Sequence, residues 1–149
     1  EGTVSAVDIS PDGLKVVCGT LYGSIGILDK SNQNYKTLLR SHTDEILAMD
    51  FHVQKQHIIT VSKDKTIRLW DIQSNDEVYE FSSPVDQPLC VAAHPQQAIF
   101  ACGFESGKMR IFDIDTTEVL DEFSQFNKPL KSVRYDNSGK LLIACCQDG

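Results

Sequence analysis

Three residues of this 149-residue chain belong to types that could together do covalent chemistry. His42, Thr60 and Asp64 are a base, a hydroxyl and an acid, and Trp70 follows closely. A threonine nucleophile activated in this way also needs an oxyanion hole and a substrate cleft. Neither has a signature in the sequence. The five cysteines are odd in number, and no pair has C-x-x-C spacing. Cys145 and Cys146 are adjacent, so on a strand they face opposite sides. Four convergent ligands for zinc cannot be assembled, and the thiols read as reduced and mostly buried in a cytosolic protein. The segment Gly103 to Gly107 contains glycines but lacks the lysine and helix of a phosphate loop. Asp12, Asp44, Asp64 and Glu105 are scattered turn acids and form no calcium loop. No catalytic group, cofactor or metal is expected.

The formal charge is −7, from 14 basic and 21 acidic residues. Nucleic-acid binding needs a basic patch that releases counterions. The densest basic stretches, Lys63, Lys65, Arg68 and Lys128, Lys131, Arg134, are interleaved with other types. No nucleic-acid partner is therefore expected. There is no run of about eighteen apolar residues, so no membrane insertion is expected either. The chain opens on Glu1 without a signal-peptide pattern and reads as an excerpt from something longer.

The elements that position these residues repeat every 42 positions. Leu28-Asp29, Trp70-Asp71 and Phe112-Asp113 keep that spacing, as do Val7, Met49, Val91 and Val133. So do Ser10, His52, His94 and Asp136. Within each unit, alternating β-branched and aromatic runs predict strands. Turn signals such as Pro11-Asp12-Gly13, Lys63-Asp64-Lys65 and Asn137-Ser138-Gly139 separate them. Four strands per unit are expected, in the second unit at 46–52, 57–62, 66–71 and 77–81. No stretch has a helical period. Units of about 40–45 residues with four strands are the mark of a propeller blade.

The second unit, from Ser41-His42 through Lys63-Asp64-Lys65-Thr66-Ile67-Arg68-Leu69-Trp70-Asp71, resembles a WD-repeat. The resemblance implies an all-β fold. At this repeat length the chain holds about 3.5 four-stranded blades of a partial β-propeller. The repeats run at about 4–45, 46–87, 88–129 and a truncated 130–149. The resemblance also makes His42, Thr60, Asp64 and Trp70 a structural tetrad within one blade. Other units have lost it, with Cys18, Cys102 and Ala144 at the Thr60 position and Tyr22, Ser106 and Asp148 at the Asp64 position. Leu28 and Phe112 replace Trp70, and Pro84 and Phe126 replace His42. Those blades are expected to rely on apolar packing of the third strand, with lower local stability in the first and third. His52 and His94 sit at the ends of innermost strands, where Ser10 and Asp136 fill the same slot. They read as turn-facing polar residues.

By the same resemblance the function is a non-catalytic protein–protein interaction scaffold. The remaining blades of the same chain count among its partners. The expected binding face carries the turn between second and third strands and the connection into the next blade. It comprises Tyr22, Asp44, Glu45, Lys63, Lys65 and Asp86, then Gln87, Phe104, Glu105, Phe126, Asn127 and Lys128. Its mixed charge and aromatics suit protein binding. The runs Val78 to Pro84 and Phe100 to Gly107 resemble large WD-repeat proteins of cilia and centrioles. That narrower resemblance implies a structural role in axoneme or centriole microtubules, with tubulin or axonemal proteins as partners. It places the protein in the cytoplasm, on the cytoskeleton of a cilium or centriole. The alternative is a cytosolic adaptor in signalling, trafficking or ubiquitin transfer. WD-repeat ubiquitin-ligase receptors often carry Arg two residues after the Trp-Asp pair, where this chain has Gln73 and Asp115.

Overall fold

The computed structural model describes residues 2–38, 42–82 and 85–147. Ser41, Ser83, Pro84, Asp148 and Gly149, which entered the sequence reading above, lie outside the described residues. The described elements are all strands. They are β1 Val4–Ile9, β2 Lys15–Thr20, β3 Ile25–Asp29, β4 Asn34–Leu38, β5 Ile46–His52, β6 His57–Ser62 and β7 Thr66–Asp71. They continue as β8 Glu77–Ser82, β9 Pro88–Ala93, β10 Ile99–Phe104, β11 Met109–Asp113, β12 Val119–Phe123, β13 Leu130–Tyr135 and β14 Leu142–Cys146.

Strands β1 to β4, β5 to β8 and β9 to β12 form three antiparallel four-stranded sheets, and β13 pairs with β14. The first strands lie side by side, β1 against β5, β5 against β9 and β9 against β13. This is a partial β-propeller. The expected strands of the second blade fall where the sequence puts them, save that β8 ends at Ser82 rather than at residue 81.

The repeat is visible in backbone detail. The ladder to the first strand slips after Val4, Ile46 and Leu130. Such bulges increase local twist. Lys63, Glu105 and Gln147 donate their amides to Glu45, Gln87 and Pro129 carbonyls at 2.9, 2.8 and 3.1 Å. Gly23, Lys65 and Gly107, 42 apart, are all left-handed in the turn between second and third strands (φ 77°, 66° and 85°). A Cβ at Gly107 would stand 2.4 Å from the Phe126 carbonyl oxygen. Of these three, Lys65 alone carries a side chain.

The core lies between blades rather than within them. Val17, Ile25, Ile27, Ile46, Met49, Phe51 and Ile58 fill the first seam together with Trp70 and Ile72. Ile59, Val61, Ile67, Leu69, Phe100, Phe104 and Phe112 fill the second. Leu130 and Val133 join Cys90 and Met109 in the third. Ile58 and Ile59 therefore serve opposite seams, as alternation along a strand requires. A strand covered on both faces reads as a continuous apolar run, which is why β6 contains Ile58-Ile59-Thr60-Val61.

Candidate functional site

In the second blade, one directional chain of hydrogen bonds ties the connection before β5 to β6, β7 and the turn between them. The Trp70 indole N–H donates to Thr60 Oγ1 at 3.0 Å, and Thr60 Oγ1 lies 2.7 Å from His42 Nε2. His42 Nδ1 lies 2.9 Å from Asp64 Oδ2. A carboxylate can only accept, so His42 carries its proton on Nδ1 and takes the threonine proton at Nε2. Thr43 N–H also donates to Asp64 Oδ2 at 3.0 Å, and the Thr66 hydroxyl donates to Asp64 Oδ1 at 2.6 Å. Burial raises the Asp64 pKa, but the bonds from His42, Thr66 and Thr43 outweigh it and hold the carboxyl well below its usual range. Thr60 is fully buried and His42 nearly so. With a buried hydroxyl whose acceptor and donor capacity is spent inside the blade, the set has the geometry of a brace and not of a nucleophile.

The third blade solves the same problem differently. Phe112, in the Trp70 position, stacks on Phe100 at 5.0 Å and 10°, and Phe81 meets both rings edge-on. Cys102, in the Thr60 position, is fully buried, and burial pushes its thiol far up. A polar tie survives beside this packing. Ser106 Oγ donates to Asp86 Oδ2 at 2.6 Å, so the acid now sits on the connection and the donor on the turn. Of the five thiols only Cys90 and Cys102 are buried; Cys145 is exposed, and Cys18 and Cys146 are half-buried. The expectation of mostly buried cysteines is corrected to that extent. The exposed ones lie on the first and last sheets, where one face has no described neighbour.

The expected binding face is a row of turns at one end of the blades. Tyr22 is 74% exposed, and Asp44, Lys63, Lys65, Glu105, Asn127 and Lys128 are exposed. Glu45 is half-buried and pairs with Lys63. Asp86 is held by Ser106, and Gln87 Nε2 donates to the Ser62 carbonyl at 2.6 Å, across the second seam. Phe126 is half-buried. Phe104 is a correction. It is fully buried in the second seam, with Arg110 over its ring at 4.7 Å, and presents no surface. As the last residue of β10 it shares its register with Ser62 and Thr20, both buried. That register was the available signal.

The innermost strands carry polar groups that their apolar look conceals. Phe51 N–H donates to Asp8 Oδ2 at 3.1 Å, and Ala93 N–H donates to Asp50 Oδ2 at 2.8 Å. Asp8 and Asp50 are 42 apart, so one carboxylate in each of two blades reaches the first strand of the next. Burial, reinforced by Asp8, pushes Asp50 up to about 6, while Ala93 N–H and Arg134 pull it down. Arg134 stands 3.9 Å away. His52 and His94 are buried and bond to the next blade's turn, at Gln97 and Gly139. They do not face outward from their own turns. Among the described residues no three His, Cys, Asp or Glu side chains could hold a metal ion, and no helix is long and apolar enough to cross a membrane.

Residues 33–71 match the family model described as WD domain, G-beta repeat. Over all 149 residues the chain is 40% identical to WD repeat-containing protein 90 of Xenopus tropicalis and 38% identical to its human counterpart. The chain carries a WD repeat within residues 33–71. It spans about 8% of the length of these curated relatives. The chain is also 27% identical, over 116 residues, to human Echinoderm microtubule-associated protein-like 3. That match covers 78% of the chain and 13% of the relative.

Proposed function

We propose that this WD-repeat segment is part of a larger propeller serving as a non-catalytic, protein-binding scaffold on microtubules, with a structural place in the axoneme or centriole. The observation that carries the reading is its similarity, over most of its length, to relatives whose names describe association with microtubules. The turn row supports it, since the exposed residues there are mixed in charge and held on a rigid frame. The segment's own charge sets a limit. A chain of −7 is repelled at long range by an acidic lattice, so contact goes through local basic points such as Lys63, Lys65 and Lys128 or through other parts of the protein.

Burial supports a larger propeller. Val4, Val7, Ile9 and Leu28 are 51%, 59%, 55% and 38% exposed, whereas their equivalents Ile46, Met49, Phe51 and Trp70 are 0–6% exposed. Ile143 is 52% exposed where Ile59 and Ala101 are fully buried. Further blades of the same chain would cover both faces.

The test is extraction of the full-length protein from ciliated cells at rising salt, with a Lys63→Glu, Lys65→Glu, Lys128→Glu variant beside it. Retention on microtubules, weakened in the variant, is the expected outcome. A protein that leaves with the soluble fraction at low salt contradicts the reading and favours the cytosolic adaptor.

A further inference from the structure

The two buried histidines at the ends of β5 and β9 are placed identically and share an arrangement. His52 Nε2 lies 2.7 Å from the Gln97 carbonyl oxygen, and Lys55 N–H donates to His52 Nδ1 at 3.3 Å. His94 Nε2 lies 3.1 Å from the Gly139 carbonyl oxygen, and Gln96 and Gln97 N–H donate to His94 Nδ1 at 3.1 and 2.9 Å. Carbonyls accept and amides donate, so each ring is neutral with its proton on Nε2. Each ring thus closes its own turn through one nitrogen and fastens it to the next blade through the other.

The surroundings are shaped to the rings. A Cβ at Gly139 would come within 2.3 Å of the His94 ring, and Gly139 is left-handed (φ 73°). Tyr135 packs edge-on against His94 at 4.8 Å. In the first blade Ser10 holds the slot and bonds only within its own turn, to Asp12 and Lys15. No ring crosses that seam, and a cleft of about 210 Å³ lies there, lined by Ser10, Lys15, Phe51, His52 and Gln56 among others.

We infer that His52 and His94 are acid-sensitive turn clasps, which close their own turns when neutral and open them when protonated, while the Nε2–H bond to the next blade persists and the Ser10 turn, which holds no such ring, stays closed. Protonation puts a hydrogen on Nδ1, where it points at an amide hydrogen, and the turn bond cannot survive. The titratable and charged groups facing the rings are Lys55 on the His52 turn, His57 on β6, Asp115 after β11 and Tyr135 on β13, and His52 and His94 also feel one another. Lys55 is paired with Asp115 at 2.6 Å. Burial is the main cause that holds His52 below the ordinary imidazole range. The inference does not depend on what the scaffold binds.

The test is hydrogen exchange of the full-length protein between about pH 7.5 and pH 5, with protection read against the intrinsic rate at each pH. Segments 53–58 and 95–99 should lose protection about tenfold or more as the rings protonate, while 11–15 keeps it. Gln can still donate to a carbonyl but cannot titrate. His52→Gln should therefore flatten the acid response of 53–58 alone, and His94→Gln that of 95–99 alone. Equal loss in all three segments, no loss in the wild type, or an acid response that survives in the Gln variants overturns the inference. The wild-type titration decides it even if a variant fails to fold.

Discussion

The second and third blades hold the same four-stranded frame by opposite chemistry. The second spends its buried third strand on a polar chain, from Trp70 through Thr60 and His42 to Asp64. The third spends it on Phe112 stacked on Phe100, with Phe81 of β8 meeting both rings across the second seam. A hydrogen bond is worth roughly 0.5–1.5 kcal/mol net, and an aromatic pair roughly 0.5–1.5 kcal/mol beyond its burial. The two solutions are therefore of similar size, and the expectation that the third blade is locally weaker loses its main support. What differs is the failure mode. The polar chain is directional and leaves unpaired groups when one member goes, whereas the aromatic cluster leaves a cavity.

The largest effect that can break this comparison is deletion of either anchor. Trp70→Ala and Phe112→Ala should each cost about 3–5 kcal/mol, as large core truncations do, seen in thermal unfolding of the full-length protein. An untouched unfolding transition in the Trp70 variant would mean that the blade assignment is wrong. Next comes the exchange of chemistries. Thr60→Val strands the Trp70 N–H and His42 Nε2, at about 1–3 kcal/mol. Cys102→Thr puts a hydroxyl among aromatic rings with no partner histidine, at a similar cost of about 1–3 kcal/mol. If Cys102→Thr is neutral, the third blade tolerates the polar solution and the contrast collapses.

Acid separates two carboxylates of the second blade. Asp64 is held low in the folded state, so its contribution is complete above the ordinary carboxylate pKa and is lost as pH falls through the folded value. Asp50 is pushed up to about 6, so its ionisation opposes folding, and stability from this group rises as pH falls from 6 towards 4. Asp50→Asn should therefore stabilise the protein at pH 7 by about 1–2 kcal/mol and flatten the slope in that window, as measured by denaturant titration at several pH values. The smallest effect belongs to Lys63→Glu, which should leave the unfolding midpoint nearly unmoved while altering partner capture, since Lys63 is exposed although its partner Glu45 is half-buried, and ion pairs at the surface contribute little.

The frame was legible because both of its signals are local. A 42-residue register and strand alternation locate β5, β6 and β7, and the turn residues mark the gaps. Phe104 was misplaced because Phe104-Glu105-Ser106-Gly107 reads as a turn when taken alone; only its register with Ser62 marks it as buried. The roles of His52, His94, Asp8 and Asp50 were out of reach for another reason. Their partners lie 43 to 45 residues away in the next blade, and a slot that holds Ser in one unit and His in two others looks like a tolerant surface position. Asp8 and Asp50 did leave a trace, an acid repeated at the same point of two apolar strands.

The scaffold reading is tested most directly by cross-linking mass spectrometry on the native full-length protein in its cellular assembly, reading links from Lys63, Lys65 and Lys128. Links from these lysines to tubulin or to axonemal proteins are the predicted result and would fix the binding face. Links that reach only soluble regulators would contradict a structural place on microtubules.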